Sequence, residues 1–294
     1  MSTLLRRGLR QFALPLAVSA VLAACGGGSG DDNTPAQPPS EPLRVLVPAY
    51  FYPLPGSGWD QLALSAQATP AVALTAIVNP SNGAGSKADP KFADALAAFT
   101  QAGGKAIGYV PTGYGRTSQA TVRAHIDRYL AFYGRAQISG FFLDEMSATP
   151  ANAGYYRDLQ AYIKGLDAGL LVVGNPGTPP SADYAAAADV LVTFEGQAQA
   201  YAGFDPQTQA PWVYQYSNAK QAMLVHDAAS CSAMQTALRA AAGARNHTAW
   251  VYVTDRHYNP ASGSGNPWAT LPSYWDKLLA SATALNQATA LPGC

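Results

Sequence analysis

The stretch Gly140-Phe141-Phe142-Leu143-Asp144-Glu145-Met146 ends a run of large apolar residues with two adjacent carboxylates. Such a run, bounded by a glycine and followed by the helix-start signal Thr149-Pro150, is typical of a strand buried on both faces. A carboxylate in a core is costly unless it reaches water or a site, so we expect Asp144 and Glu145 at the carboxyl end of a parallel strand. In α/β folds that end carries the catalytic residues. A surface ion pair or a helix cap is the alternative for such acids.

Seven further apolar runs alternate with helix-like segments after residue 42. They lie at residues 44–52, 74–80, 106–111, 170–176, 190–196, 222–226 and 249–255, while residues 212–216 fit either a strand or a loop. Eight parallel strands in this length close most economically into a single α/β domain, a (β/α)8 TIM barrel. An open doubly wound sheet is the alternative. It favours a Gly-rich turn after the first strand, where the sequence has Pro48-Ala49-Tyr50-Phe51-Tyr52-Pro53.

The N-terminus has the features of an export signal. Three arginines precede an apolar stretch at residues 12–24 that is short for a membrane span, which predicts a secretory signal peptide. The stretch ends in Leu22-Ala23-Ala24-Cys25, which is similar to a bacterial lipobox, so we expect residues 1–24 to be removed and Cys25 to carry a lipid anchor to the membrane. Gly26, in place of an aspartate, favours the outer membrane, on its periplasmic or cell-surface side.

The boundary of the folded domain follows from composition. Residues 25–42 are rich in Gly, Ser, Asp, Asn and Pro, which predicts a disordered linker before a barrel domain at residues 43–294. Cys231 and Cys294 lie in this domain, and in an oxidising compartment we expect them to form a disulfide.

Charge and motifs exclude several classes of protein. Charged residues make up 12% of the chain, the formal net charge is zero, and no basic run indicates nucleic-acid binding. The sequence has no Gly-x-Ser-x-Gly elbow, no His-Glu-x-x-His pair and no cysteine spacing typical of a metal site. We therefore expect no cofactor and no metal. The pairs His226–Asp227 and Asp255–His257 are expected to form structural hydrogen bonds. We also expect a monomer.

The predicted strand ends carry acids, amides and phenols. In a closed barrel all of these ends face the same mouth. A pyranose ring stacks its apolar face on aromatic rings and hydrogen-bonds through its hydroxyls, so this set suits a sugar better than a phosphate. We expect substrate-binding roles for Tyr50, Tyr52, Asn79, Tyr109, Asn175, Tyr252 and Asp255, with a buried core position as the alternative for each tyrosine.

A third acid, Glu195, ends the sixth predicted strand. Glycoside hydrolysis uses two carboxyl groups, about 5–5.5 Å apart for retention or about 6.5–9.5 Å apart for inversion. The fourth and sixth strands are two steps of about 4.8 Å apart and inward side chains converge, so Asp144 and Glu195 fit either outcome. Because side chains alternate along a strand, only one of Asp144 and Glu145 points inward, and the other uses the bend at the strand end.

Six segments together resemble the spherulin-4-like proteins, also called spherulation-specific family four, over about residues 44–255. These segments are Val47-Pro48-Ala49-Tyr50-Phe51-Tyr52-Pro53, Ile77-Val78-Asn79-Pro80, Gly108-Tyr109-Val110, Gly140-Phe141-Phe142-Leu143-Asp144-Glu145, Asn175-Pro176-Gly177 and Phe194-Glu195. The resemblance implies a (β/α)8 glycoside hydrolase that cuts microbial exopolysaccharides containing galactosamine or N-acetylgalactosamine. It also implies that Asp144, Glu145 and Glu195 are the catalytic acids.

On this resemblance we expect an endo-acting enzyme that remodels a biofilm matrix. Glu195 would be the general acid/base, Asp144 the nucleophile or the stabiliser of the oxocarbenium ion, and Glu145 the residue that orients an N-acetyl group or tunes Asp144. An exchange of the acid roles, and attack by the N-acetyl group itself, stay open. The competing hypothesis is a surface lipoprotein that binds polysaccharide without cutting it.

Overall fold

The computed structural model describes residues 40–294. The predicted signal peptide, Cys25 and most of the predicted linker lie outside these residues. The remaining linker residues, Ser40–Pro42, contact the barrel, because the Asn218 side chain accepts a hydrogen bond from the Glu41 backbone N–H (2.7 Å) and donates one to the Glu41 carbonyl (2.9 Å).

Eight parallel strands form a closed barrel in chain order, with β8 paired to β1. This finding confirms the predicted (β/α)8 barrel and excludes the open sheet. The strands are β1 (Arg44–Ala49), β2 (Leu74–Val78), β3 (Lys105–Pro111), β4 (Ile138–Asp144), β5 (Leu171–Gly174), β6 (Val190–Gln197), β7 (Gln221–His226) and β8 (Trp250–Val253).

Helices surround the barrel, and each helix of eleven or more residues buries several residues against it. The α-helices are α1 (Gly58–Ala68), α2 (Pro90–Gln101), α3 (Gln119–Tyr133), α4 (Ala153–Leu166), α5 (Ala198–Ala202), α6 (Pro206–Gln209), α7 (Cys231–Ala242) and α8 (Trp275–Asn286). In α2 the N-cap Asp89 accepts from the Lys91 N–H, and Phe92, Leu96 and Phe99 recur at helical spacing and are buried. In the part of the chain that the structure describes, no helix is both long and apolar enough to span a membrane.

Three connections differ from a simple barrel. Between β5 and β6 the chain makes only a 3-10 helix, Ala182–Ala186. Residues 212–216, which fit a strand or a loop, lie between β6 and β7: residues 212–215 belong to a 3-10 helix, Pro211–Gln215, and Tyr216 follows it in an extended conformation. After β8, two short antiparallel strands, β9 (Tyr258–Asn259) and β10 (Ser264–Gly265), form a hairpin that the sequence did not predict.

The two ends of the domain are tied to the barrel. The Asn286 side chain accepts from the Leu43 N–H (2.6 Å) and donates to the Leu43 carbonyl (3.0 Å), which joins the end of α8 to the start of β1. Cys231 and Cys294 form a disulfide with a Cα–Cα distance of 5.7 Å. The last residue is thereby fixed to the start of α7.

Candidate active site

Asp144 and Glu195 meet at the mouth of the barrel through one amide nitrogen. Asn175 follows β5, the strand between those that carry the two acids, and its Nδ2 donates to Asp144 Oδ1 (2.8 Å) and to Glu195 Oε2 (2.6 Å). The two bond lengths limit the separation of these carboxylate oxygens to at most their sum, about 5.4 Å. The structure therefore brings both predicted acids and Asn175 into one cluster.

The backbone around Asn175 fixes the direction of its amide. The Asn175 N–H donates to the Leu143 carbonyl (2.9 Å), and its Oδ1 accepts from the Gly177 N–H (3.0 Å). Gly177 adopts a φ of 66°, a left-handed conformation that favours glycine, and its carbonyl accepts from the Glu195 N–H (3.0 Å). Because the oxygen of the amide is already bonded to Gly177, the NH2 group must face the acids.

A register shift in β6 precedes Glu195. The pairing of β6 with β7 slips between Val192 and Phe194, and Glu195 pairs with Leu224 beyond the slip. Such irregularities re-aim the side chains that follow them and are common beside active sites. Simple alternation along β6 therefore does not predict which way Glu195 points.

The surroundings of Asp144 and Glu195 affect the ionisation of the two carboxyl groups differently. Burial, and then the negative charge of Asp144, raise the pKa of Glu195 to about 7, although the hydrogen bond from Asn175 opposes the shift. Burial also raises the pKa of Asp144, but hydrogen bonding from Tyr109, from the Glu145 backbone and from Asn175 favours its ionised form. Asp144 has more donors, so it is the acid that ionises first and Glu195 is the one that keeps its proton near neutral pH.

Two tyrosines complete this cluster. Tyr50, just after β1, and Tyr109, on β3, pack edge to face with ring centroids 5.4 Å apart. Burial and the charge of Asp144 raise the pKa of both phenols, so both are neutral hydrogen-bond donors at physiological pH. Tyr109 is 6% exposed, which limits the area that it can offer to a ligand.

Glu145 lies at the bend after β4 and turns away from Asp144. Its φ of 51° is unusual for a residue with a side chain, and its Oε2 accepts from the Gly113 N–H (3.0 Å). Its carbonyl accepts from the Tyr114 N–H (2.7 Å) and from Thr112 Oγ1 (2.8 Å). Glu145 thus holds the loop after β3, and Asp144 is the inward member of the pair.

Three of the predicted binding residues hydrogen-bond elsewhere, and a fourth, Tyr252, lies in the core. Asn79 Oδ1 accepts from the Gly83 N–H (2.9 Å) and shapes the loop after β2. The Tyr52 hydroxyl donates to Asp89 at the start of α2 (3.1 Å). Tyr252 is fully buried, and Asp255 accepts from the hydroxyl (2.5 Å) and the N–H (3.2 Å) of Ser273. None of these side chains hydrogen-bonds to the cluster of Asp144, Asn175 and Glu195, because each has a local partner or none of its surface is exposed.

The sequence missed a cavity on the β6–β8 side of the mouth. The cavity has a volume of about 570 Å³, and its lining includes Glu195, His226, Tyr258 and Trp268. Trp268 lies in the connection after the hairpin, in Asn266-Pro267-Trp268, and that turn-like segment is the only sequence signal that could have identified it.

His226 and His257 share one partner. Both imidazoles hydrogen-bond through Nδ1 to the carboxylate of Asp227, whereas Asp255 lies apart from them. Within residues 40–294 no group of three or more His, Cys, Asp or Glu side chains has an arrangement suited to a metal ion. Asp227 therefore serves as a hydrogen-bond acceptor for two histidines.

Comparison with known proteins agrees with this architecture. The model of the family described as "Spherulation-specific family 4" matches residues 44–282. The chain belongs to this family. Spherulin-4 of Physarum polycephalum is 38% identical over 157 residues, which are 53% of this chain and 46% of that protein. The chain thus aligns with less than half the length of that relative.

Solved structures share the fold. The structure of Aspergillus clavatus Sph3 in complex with GalNAc superposes with a TM-score of 0.70 at 22% identity and covers 82% of this chain and 98% of that one. An α-amylase from Lactobacillus plantarum superposes with a TM-score of 0.50 at 9% identity, over 83% and 79% of the two chains. At these identities the likeness establishes the (β/α)8 barrel fold.

Proposed function

We propose that this protein is a glycoside hydrolase that cuts within an exopolysaccharide of galactosamine or N-acetylgalactosamine residues. One observation carries the proposal: Asp144 and Glu195 are bridged by Asn175 at the barrel mouth and differ in their readiness to ionise. Glycoside hydrolysis needs one protonated and one ionised carboxyl group at such a separation. The family and the GalNAc bound to the similar barrel support the choice of sugar.

Glu195 acts as the general acid in the first step, and Asp144 acts as the nucleophile. Asp144 attacks the anomeric carbon while the bond to the leaving sugar breaks, and the departing oxygen takes the proton of Glu195. A water molecule then attacks the same carbon, gives its proton to the Glu195 carboxylate and releases Asp144. The bridged oxygens are at most about 5.4 Å apart, which is less than the separation of about 6.5–9.5 Å that inversion needs and therefore favours retention.

Glu145 has a positioning role in this mechanism. Its carboxylate is bonded to the Gly113 N–H, and it occupies the bend that turns Asp144 inward. It keeps the loop after β3 beside the Tyr109–Asp144 pair. Orientation of an N-acetyl group by Glu145 would require this bond to break.

The test measures reducing ends released from galactosaminoglycan, both N-acetylated and deacetylated. Wild type is compared with Glu195→Gln and with Glu41→Gln, which makes the same atomic change at the opposite end of the barrel, where Glu41 pairs with Arg44. We expect release by wild type and Glu41→Gln and a loss of about 10²–10⁴-fold in Glu195→Gln, which is the usual contribution of a general acid. Equal release by all three proteins would reject the role of Glu195. Tight binding without release by wild type would favour the polysaccharide-binding alternative.

We also propose that the protein is exported and anchored through a lipid on Cys25, in the outer membrane. The lipobox-like Leu22-Ala23-Ala24-Cys25 supports this proposal. Fractionation after metabolic labelling with palmitate tests it: wild type should be labelled and found with membranes, and Cys25→Ala should lose the label. A labelled Cys25→Ala protein would contradict the proposal.

A further inference from the structure

The cavity beside Glu195 has the size and lining of a ligand site. Its volume of about 570 Å³ lies within the range of about 300–1,000 Å³ of small-molecule sites. Glu195 forms part of its wall, whereas Asp144 does not. A ligand in this cavity therefore lies on the side of the proposed general acid and away from the proposed nucleophile.

Three rings give the cavity an aromatic wall with fixed geometry. The ring of His226 is nearly perpendicular to Tyr258 (84°, centroids 6.0 Å apart) and to Trp268 (81°, 6.1 Å). Trp268 packs on the buried ring of Tyr252 at 5.8 Å and is itself partly exposed. Tyr252 thus supports Trp268 from within the fold, while Trp268 keeps exposed indole surface beside the cavity.

The hairpin of β9 and β10 holds this wall in place. Gln197 Nε2 donates to the Tyr258 carbonyl (3.4 Å), and the Trp268 N–H donates to Asn266 Oδ1 (3.0 Å). Gly265 has a φ of 90°, and a Cβ there would collide with the His257 carbonyl. These contacts fix the hairpin and the turn at Asn266 that follows it, and this turn positions Trp268.

His226 presents one defined nitrogen to the cavity. The side chain is buried (5% exposed), Nδ1 is bonded to Asp227 Oδ2 (2.6 Å), and Nε2 has no hydrogen-bond partner among residues 40–294. Although burial opposes it, hydrogen bonds from His257 and His226 lower the pKa of Asp227, so its carboxylate is ionised and can only accept. The bond to this carboxylate places a proton on His226 Nδ1, so in the neutral imidazole Nε2 is the acceptor for a ligand hydroxyl or amine.

We propose that this cavity binds the sugar residue on the leaving-group side of the cleaved bond. Trp268 stacks on the apolar face of that hexosamine ring, and His226 Nε2 accepts a hydrogen bond from its edge. The general acid protonates the oxygen that departs with this sugar, so the sugar must lie beside Glu195 rather than beside Asp144. The inference rests on the proposed function, because the leaving-group side of the bond is identified from the proposed roles of Glu195 and Asp144.

The test compares two kinds of substrate in the Trp268→Ala variant. With an N-acetylgalactosamine oligosaccharide we expect kcat/KM to fall about tenfold, which corresponds to about 1.4 kcal/mol and lies within the range of aromatic stacking. With a glycosyl fluoride of the same glycone we expect an unchanged rate, because fluoride departs without occupying the cavity. A structural defect at the mouth would lower both rates equally.

Three further variants complete the test. Trp212→Ala removes a partly exposed tryptophan that bonds to the Pro180 carbonyl and does not line the cavity, so it should leave both rates unchanged. His226→Gln, which retains an acceptor, should keep more oligosaccharide activity than His226→Ala. Oligosaccharide rates in Trp268→Ala equal to those of wild type would overturn the inference while the proposed function stands.

A failure of the proposed function would give a different set of results. If wild type hydrolyses neither the oligosaccharide nor the fluoride, the enzyme proposal fails. Calorimetric titration with the same oligosaccharide then still decides whether the cavity binds sugar. Binding that Trp268→Ala weakens and Trp212→Ala does not would keep the cavity as a sugar site, and binding equal in both variants would reject it.

Discussion

The side-chain amide of Asn175 controls both the distance and the charge of the candidate catalytic pair. A flipped amide would place Oδ1 against two carboxylates and NH2 against the Gly177 N–H, so only one orientation satisfies all the groups. Two ionised carboxylates that share one donor nitrogen still repel each other, and burial increases the free-energy cost of ionising both. The pair therefore holds a proton near neutral pH, and Glu195 is its site because Asp144 has the greater number of donors.

This arrangement predicts the pH dependence of the wild-type enzyme. Glu195 must be protonated to donate to the leaving sugar, and its pKa is about 7. We expect kcat/KM for an oligosaccharide to be highest below pH 7 and to fall about tenfold for each pH unit well above it. The measurement is a pH–rate profile of the wild type. A glycosyl fluoride, which needs no proton to leave, should not show this fall. A rate that rises through pH 7 would instead assign the ionised form of Glu195 to the first step, with the roles of the two acids exchanged.

At the residue scale, the sequence predicted which residues lie at the strand ends better than it predicted their hydrogen-bond partners. Asp144, Glu195 and Asn175 were identifiable because apolar runs end at each of them, and strand ends share one mouth. The sequence did not predict that Asn175 bridges the two acids. This contact depends on the turn at Gly177, whose backbone bonds both to the Asn175 side-chain amide and to the Glu195 backbone. The positions of Tyr52 and Asp255 were missed because each is held by a partner distant in sequence, Asp89 and Ser273.

At the scale of elements, close contact between β4 and β5 brings Asp144 towards Asn175. Gly140 in β4 pairs with Leu171 in β5, and a Cβ at Gly140 would collide with the Leu171 carbonyl. A main-chain oxygen cannot swing aside as a side chain does, so the two strands would have to separate. The glycine that opens the apolar run thus sets the spacing of the strands that hold the site.

Gly140→Ala should therefore damage both stability and activity. We expect a loss of about 1–3 kcal/mol in the free energy of unfolding, which is typical of overpacking, and a fall in kcat because Asp144 and Asn175 move apart. Gly165→Ala is the matched control: Gly165 lies in α4 with nothing within 4 Å of an added Cβ, and it should gain up to about 1 kcal/mol. Urea unfolding and turnover of both variants provide the measurement. Equal stability of the two variants would show that β4 and β5 accommodate the methyl group.

Elements with a strong periodic pattern could be predicted from the sequence, and short ones could not. The eight strands are continuous apolar runs, and α3 and α4 have apolar positions at helical spacing. The helix α1 also has local signals, because Ser57 caps it and Trp59, Leu62 and Ala66 are buried at helical intervals. The hairpin of β9 and β10 has two residues in each strand, too few for alternation to be visible.

At the scale of the whole molecule, closure of the barrel depends on contacts between the chain ends. Only two residue pairs are in register between β8 and β1, Arg44 with Trp250 and Val45 with Val251. The bonds between Asn286 and Leu43 brace this seam at the end of the barrel opposite the mouth. After α8 the chain runs back along α7, where Gln235 Nε2 donates to the Pro292 carbonyl (2.8 Å), and ends at the disulfide.

The disulfide should make a measurable contribution to stability because it encloses α7, β8, the hairpin and α8. It joins residues 63 positions apart. Closing a loop of this length lowers the chain entropy of the unfolded state by the equivalent of about 4 kcal/mol, and native disulfides usually stabilise a protein by about 2–4 kcal/mol. For a domain of this size we expect a reductant to lower Tm by roughly 5–15 °C. Residues 40–294 contain two cysteines, so the variant with both Cys231→Ser and Cys294→Ser is the control and should unfold at the lower temperature with or without reductant. A wild-type Tm unaffected by complete reduction would mean that the hydrogen bonds of Gln235 and Asn286 hold the closing segment without the covalent link.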